Sequence, residues 1–289
     1  MRIAQISDFH FTRLTCNPLR LFSKRFLGHF NWLISRRLKF SEAPGDEIPA
    51  LLKKLKVDLI LLGGDFTTTA LEEEFKVAQK FVKSLPAPWI ALPGNHDVYT
   101  YRSHRQKHFY RFFKNKREEI KHPVDFFSLS DHQIEAHRLK ENYWLIAIDV
   151  CRATNPYSSR GLFSKKLEER MKEILSMIPT NDSILVLCHY PFFQNDSHRH
   201  TLKREDKLQA ILKNDPRIRI FLHGHTHRQI IADLQPSGLP LILDSGSLSL
   251  LDRASWNLID LVPSGCTVTP YQWNGEWKPT HAEGFEWKR

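Results

Sequence analysis

Five short stretches of the 289-residue chain gather the side chains able to hold a metal or move a proton. They are Asp8-Phe9-His10, Gly63-Gly64-Asp65, Gly94-Asn95-His96-Asp97, His189 after Cys188, and His223-Gly224-His225-Thr226-His227. Carboxylate and amide oxygens are mixed with imidazoles, and no thiolate is needed. Such a mixture suits Mn2+, Fe or Zn2+ better than the all-oxygen shells typical of Ca2+ and Mg2+. The seven donors Asp8, His10, Asp65, Asn95, His189, His225 and His227 are too many for one ion that keeps an open position. They suit two ions sharing one carboxylate, the arrangement used to hydrolyse phosphoesters. Each stretch alone is a weak signal. Asp8 and His10, two apart, face one way on an extended backbone, as a loop ion pair also would.

The set gains weight because every stretch follows an apolar run. Arg2–Ser7 alternates apolar and polar residues, and 57–62, 89–92, 183–187 and 217–222 are short, largely apolar strands. Helical spacing of apolar residues fills 46–56, 72–84, 165–177 and 201–213. Strand and helix alternate, so the strands are parallel and their loops collect at one end of a sheet. Ligand sites in open α/β sheets lie outside the carboxyl ends of the strands. Gly94 is expected to allow a sharp exit from its strand through backbone angles other residues avoid. Runs at 132–139 and 143–149 read as further strands, and those at 229–234, 239–243, 257–262 and 266–273 as a second sheet. The four cysteines form no C-x-x-C pair, which argues against a zinc ribbon or disulfide framework and fits a reducing compartment.

In order and context the motifs resemble the calcineurin-like metallophosphoesterase family, over a span from Asp8 to the strands after His227. The resemblance implies an α/β fold, a four-layer α/β/β/α sandwich forming one domain over residues 1–289. It implies a metal-dependent phosphoester hydrolase with two divalent ions, Mn2+ first, with Fe or Zn2+ as alternatives. One ion falls to Asp8, His10, Asp65 and His227, the other to Asp65, Asn95, His189 and His225, with Asp65 bridging. His96 takes the place of a catalytic histidine that is not a ligand, supported by Asp97.

Charge singles out two segments. The net charge is +10, yet residues 13–40 hold seven Lys/Arg and no acid, and residues 98–131 hold eight Lys/Arg against four acids. The rest of the chain carries one net negative charge, so the field is local and points to an anionic partner. Between Leu19 and Arg37, apolar Leu19, Phe22, Phe26, Phe30, Leu33 and Ile34 recur at helical spacing, with Arg20, Lys24, Arg25 and Arg36 off the stripe. Two readings follow: a helix packed on the domain, or an interfacial helix with aromatics toward lipid and cations toward acidic headgroups. Residues 99–121 read as a second basic, aromatic helix in a segment, 98–131, that caps the site. No nucleic-acid motif accompanies the basic residues.

Within the family, this basic aromatic cover is similar to the calcineurin-like pyrophosphatases of lipid A biosynthesis that act on UDP-2,3-diacylglucosamine, in the type that keeps Gly-Asn-His-Asp. Other pyrophosphatases of that step carry arginine where this chain has His96. The resemblance implies an amphiphilic nucleotide-sugar lipid as substrate, its acyl chains among Leu19, Phe22, Phe26, Phe30 and the aromatics of 109–113, with Arg152 and Arg160 as phosphate contacts. A cyclic-nucleotide or other small phosphodiesterase shares the motif set. A metal-bearing membrane or protein scaffold without turnover is the rival of another class. The chain opens without a secretory signal, and no stretch reaches the ~18–20 uninterrupted apolar residues of a membrane span. The expectation is therefore a cytoplasmic protein held at the inner face of the cytoplasmic membrane.

Overall fold

The computed structural model describes residues 1–15, 17, 23–115, 122–140, 142–194 and 197–288. Two sheets stack face to face. In the first, β1 (Arg2–Ile6), β2 (Leu59–Leu62) and β3 (Trp89–Ala91) are parallel neighbours. In the second, β4 (Ile134–Arg138) is antiparallel to β5 (Tyr143–Ile148), which continues in parallel to β7 (Ser183–Cys188) and β9 (Ile218–His223). Short β6 (Gly161–Leu162) and β8 (Leu202–Lys203) pair apart from both.

The period of two along each strand builds the layers. Ile3, Leu59, Leu61, Leu185, Leu187, Ile220 and Leu222 point between the sheets and pack there. Their neighbours Ala4, Ile6, Ile60 and Leu62 turn outward onto two helices, α2 (Ile48–Leu55) and α3 (Glu72–Ser84). On the far side Ile184, Val186 and Cys188 meet α4 (Lys165–Met177) and α5 (Glu205–Asn214). Strands buried on both faces read as continuous apolar runs for this reason. The result is the expected α/β/β/α sandwich.

The last strands depart from the sequence reading. β10 (Gln229–Asp233) and β11 (Leu241–Ser245) extend the second sheet beyond β9, whereas β12 (Ser255–Val262) and β13 (Gly265–Trp273) return to the first. β12 pairs antiparallel with β1, and β14 (Trp277–Pro279) and β15 (Glu283–Glu286) pair with β13. The four terminal runs are thus divided between two sheets. Periodicity gives a strand its buried faces but not its neighbour. A polar tie crosses the sandwich: the Gln5 amide donates to the carbonyls of His223 and Leu243 at 2.9 and 3.0 Å.

Three helical expectations change. The 19–37 stripe becomes helix α1 (Lys24–Asn31) followed by a π turn over Trp32–Arg36; Leu19, Arg20 and Phe22 lie outside the described residues. The 99–121 segment holds two short helices, Tyr101–Arg105 and His108–Phe112, interrupted where Lys107 takes a left-handed φ of 50°. In 201–213 the first residues form β8 and Arg204 turns at φ 63°, so the helix starts only at Glu205.

Candidate metal centre and active site

The strand ends meet along one edge of the sandwich. After β1 and β2 the chain runs as two adjacent loops, tied by Asp8 N to Gly64 O, His10 N to Asp65 O and Phe11 N to Phe66 O, each at 2.9 Å. Phe9 is buried between the motif residues and stacks on Phe66 at 4.8 Å, which anchors the loop to the helical layer. Asp8 and His10 do not converge through extended backbone, as their spacing suggests. Both hold left-handed φ, 57° and 48°, and so do Asp65, His225 and His227, at 56°, 71° and 55°. A non-glycine residue held there costs on the order of 1–3 kcal/mol and persists only where its surroundings over-determine it.

Two glycines permit this crowding by having no side chain. A Cβ on Gly94 would lie 2.1 Å from Asp65 Oδ1, and one on Gly224 would lie 2.4 Å from Asp8 Oδ2. The need at Gly94 is therefore close approach, not the unusual backbone angle anticipated from sequence.

Two nests of donor atoms result. In the first, Asp8 Oδ1 stands 3.1 Å from His227 Nε2 and 3.8 Å from His10 Nε2, and the two imidazole nitrogens are 3.0 Å apart. In the second, His189 Nε2 stands 3.2 Å from Asn95 Oδ1 and 3.5 Å from Asp65 Oδ2, with His225 completing the group. Asp65 Oδ2 is also 4.0 Å from His10 Nε2, so this carboxylate lies between the nests. All seven donors predicted from sequence are brought together here.

The ring partners fix which nitrogen faces inward. His189 Nδ1 donates to Gly63 O at 2.8 Å, and His225 Nε2 donates to His200 O at 2.9 Å. The remaining nitrogen of each ring faces the nest, the usual second-shell pattern of a metal-ligating histidine. The inward nitrogen of His189 and the oxygens of Asn95 and Asp65 then confront one another at close range, an arrangement that positive charge satisfies. The residues present fit two divalent cations.

The local electrostatics agree. Burial opposes charge on Asp8, but His227 and His189 outweigh it and hold the carboxyl at about 2. Burial likewise opposes charge on Asp65, and His189 and His96 keep it well below the ordinary range. His189 is raised to about 9, where Asp65 overcomes the cost of burial. Burial, reinforced by His189, drives His225 down to about 3. The nests thus hold two ionised carboxylates in a desolvated setting.

His96 sits at the edge of the pair. Its backbone N donates to Asp65 Oδ1 at 2.7 Å, and its Nδ1 meets Thr68 O at 2.6 Å, leaving Nε2 on the side of His10 and Asp65. Tyr99 stacks against the ring at 5.5 Å. The ring is therefore oriented by the Thr68 carbonyl, and Asp97 is not its partner. Asp97 is fully buried and accepts from Gly94 N, Phe66 N, Thr67 N and Thr67 Oγ1 at 2.9, 3.1, 2.9 and 3.0 Å, stapling the two ligand loops together. Burial and the neighbouring charge of Asp65 push its carboxyl up to about 7.

Several supporting residues were not singled out from sequence. Asp8 Oδ2 accepts from Ser7 Oγ and His225 N, while Ser247 and Ser249 hydroxyls donate to Asp8 O. Asp244, buried beside His223, accepts from Thr226 and Gly246 N. Ser247 and Ser249 carry no spacing signal, because their partner Asp8 is some 240 residues away in sequence.

The predicted substrate contacts separate into groups. Phe26 and Phe30 stack on one another at 6.3 Å on the exposed side of α1, at 56% and 54% exposure, and Phe22 lies outside the described residues. The aromatics of 109–113 pack for the most part inward, with Tyr110 and Phe112 half-buried. Phe109 and Phe113 are buried against Phe66, and Tyr110 donates to Asp149 at 2.5 Å. Among the described residues of 98–131 the cations Arg102, Arg105, Lys107, Arg111 and Lys114 are exposed, Phe109, Phe113 and Phe127 are buried, and Tyr99 stacks on His96. Arg152 and Arg160 line a cavity with Tyr101 and Lys203 that none of the seven donors borders.

The calcineurin-like phosphoesterase family profile matches residues 1–229, and the chain belongs to that family. The family match and the two nests of donors are consistent with one another, and the fold is shared with a dimetal phosphatase. Among curated relatives, a 3',5'-cyclic-nucleotide phosphodiesterase of Nostoc sp. is 23% identical over 62% of this chain and 61% of its own length. The 3',5'-cyclic adenosine monophosphate phosphodiesterase CpdA of Escherichia coli K12 is 23% identical over 61% of this chain and 56% of its own. A probable glycerophosphodiester phosphodiesterase, GpdQ, of Arcobacter nitrofigilis is 24% identical over 61% and 58%. The chain spans about three-fifths of the length of these relatives. Among solved structures, a dimetal phosphatase from Danio rerio superposes with a TM-score of 0.68 at 10% identity over 99% of both chains. A purple acid phosphatase from yellow lupin superposes at 0.64 and 9% identity, over 99% of this chain and 53% of its own.

Proposed function

We propose that the paired nests hydrolyse a phosphodiester or diphosphate in an amphiphilic substrate presented at an anionic membrane surface. UDP-2,3-diacylglucosamine, cleaved to UMP and 2,3-diacylglucosamine 1-phosphate, is the substrate that meets these requirements. The observation that carries the reading is the outward apolar face of α1 and the turn after it. Phe26, Phe30, Leu33, Ile34 and Leu38 are 56%, 54%, 47%, 69% and 83% exposed, in a segment with no acidic residue. Helix α1 is seated by its polar side: Arg25 donates to the carbonyls of Thr69 and Ala70, and a Cβ on Gly28 would meet Thr69 and Tyr99. The apolar side is left to meet something else, next to a pocket formed by Trp32, Phe40 and the ligand His10. An amphipathic helix that is apolar outward, followed by the exposed cations Arg37 and Lys39, suits a lipid surface.

In this reading Asp8, His10, Asp65 and His227 hold one ion, and Asp65, Asn95, His189 and His225 the other, with Mn2+ the metal of first choice. The ions supply positive charge to the phosphoryl oxygens and acidify water. The chain's own contribution is orientation and proton handling. Thr68 O fixes the His96 ring so that Nε2 meets a phosphoryl or leaving oxygen, where it donates a proton as general acid. Asp97 keeps the two loops in register.

A second reading, hydrolysis of a small 3',5'-cyclic nucleotide or glycerophosphodiester, is favoured by the activities named for the curated relatives. Mn2+-loaded protein assayed in mixed micelles separates them. UMP release from UDP-2,3-diacylglucosamine with little turnover of cyclic AMP supports the first reading. The reverse pattern establishes the second. Turnover of no phosphoester at all would leave a metal-bearing scaffold.

A further inference from the structure

A cavity of about 360 Å3 opens between Tyr101, the loop 152–160 and β8. Three cations line it, Arg152, Arg160 and Lys203, together with Tyr101, Asn155 and Ser158, and among the described residues no acid belongs to its walls. Arg152 Nε reaches Arg160 O at 3.4 Å, and Arg160 Nε is buried without a hydrogen-bond partner among the described residues. A buried guanidinium N–H left unsatisfied is unfavourable, and a bound anion is the natural acceptor. The carboxylate in electrostatic range of Arg160, that of Glu205, lies outside the cavity lining.

Two relays join this cavity to the reacting centre. Tyr190 packs on the ligand His225 at 4.3 Å and its hydroxyl donates to Ser159 O; Ser159 Oγ bonds His200 Nδ1 at 2.7 Å, and His200 O accepts from His225 Nε2. On the other flank Lys24 of α1 donates to Thr154 Oγ1 and Ser158 O at 3.1 and 3.0 Å and lies 4.7 Å from the Tyr99 ring, which stacks on His96. The cavity wall is thus linked to His96 through Lys24 and Tyr99, and its neighbour Ser159 to His225 through Tyr190.

We propose that this cavity binds a second phosphate of the substrate, beyond the phosphorus at the metals, so that the chain selects diphosphates over simple phosphodiesters. The inference rests on the reading that the paired nests hydrolyse a phosphoester. Arginine suits the role because its planar fork matches phosphate oxygens, and charge-assisted bonds are the stronger ones.

The test uses the full chain with excess Mn2+, bis(p-nitrophenyl) phosphate as reporter, and AMP and ADP as inhibitors differing by one phosphate. ADP is expected to inhibit about tenfold or more tightly than AMP, the worth of one or two charge-assisted bonds. In R160M, and independently in K203M, that ratio is expected to shrink to within about threefold. A thermal melt beside each assay shows whether the variant folds, and R160K serves if R160M does not. Equal inhibition by AMP and ADP in the unaltered protein, or a ratio that survives in both variants, overturns the inference. So does inorganic phosphate binding alongside AMP with no advantage for ADP, since the cavity then takes a free anion. If the reporter is not hydrolysed at all, the hydrolase reading fails; the cavity is then judged by calorimetric titration of ADP and AMP into the same proteins.

Discussion

Replacing Asp97 by alanine tests whether this residue holds the loops or orients His96. The carboxylate accepts three buried backbone N–H groups, from Gly94, Phe66 and Thr67, as well as the Thr67 hydroxyl. Alanine removes the acceptor and leaves those donors without water or partner. Each orphaned buried donor costs about 1–3 kcal/mol. Partial relaxation of the loops brings the total to roughly 3–6 kcal/mol, a large part of the 5–15 kcal/mol typical of a folded protein. At roughly 2 °C per kcal/mol for a chain of this size, the melting temperature falls by roughly 6–12 °C. The measurement is a thermal melt in chelator, so that lost metal does not enter the comparison, with turnover followed separately in Mn2+. Asp97→Asn keeps the shape but turns an amide N–H2 toward donors, and falls between the parent and alanine. A melting temperature within about 2 °C of the parent, combined with collapsed turnover, would refute the stapling role and restore the orienting one.

Other outcomes follow from the same geometry. His96→Ala retains two metal equivalents by elemental analysis but loses about 10²–10⁴-fold in kcat, the range for a positioned general acid. Phe26→Ser with Phe30→Ser reduces partitioning onto anionic vesicles by roughly tenfold or more, since each phenyl removed from a lipid interface forfeits on the order of 1.5–3 kcal/mol at full burial; unchanged co-sedimentation would sink the lipid-facing assignment. Burial pushes the Glu74 carboxyl to about 7 although it accepts from Thr69, Leu71 and Arg13 backbone N–H groups. An acid raised from 4.5 to about 7 takes up a proton on folding, so its contribution is complete below 4.5 and is lost as pH rises through 7. The loss is roughly 3 kcal/mol, and Glu74→Gln flattens that slope in denaturant titrations at the two ends of the window.

Much of the site was legible because ligand residues end strands, and an apolar run followed by a polar motif is visible in one dimension. Asp65, Asn95 and His189 follow β2, β3 and β7 as that logic requires. What escaped is geometry with a long loop closure. Nothing near Asp97 in sequence says that its acceptors face Phe66 and Thr67, some 30 residues earlier. Nothing near His96 says that a main-chain carbonyl at Thr68 takes its Nδ1. The final strands were legible as strands, yet β12 finds its place beside β1 through pairing across some 250 residues. The apolar stripe on α1 was legible as a stripe, but which side the domain covers was decided by Gly28 and Arg25, whose small size and donors fit the Thr69–Ala70 turn.

The two sheets contribute to both nests. Asp8 and His10 extend from the first sheet toward His227 from the second, and Asp65 and Asn95 extend from the first toward His189 and His225. A cation bound in either nest is therefore also a cross-link between halves of the sandwich, added to side-chain packing and to polar ties such as those of Gln5, Asn257 and Tyr143. Affinity for metal and cohesion of the fold become one quantity, because an ion that binds only the assembled edge stabilises it in proportion to its occupancy. Chelation should then be felt as slippage between layers, with amide protons at the tips of β1 and β9 exchanging sooner while those in the helices hold.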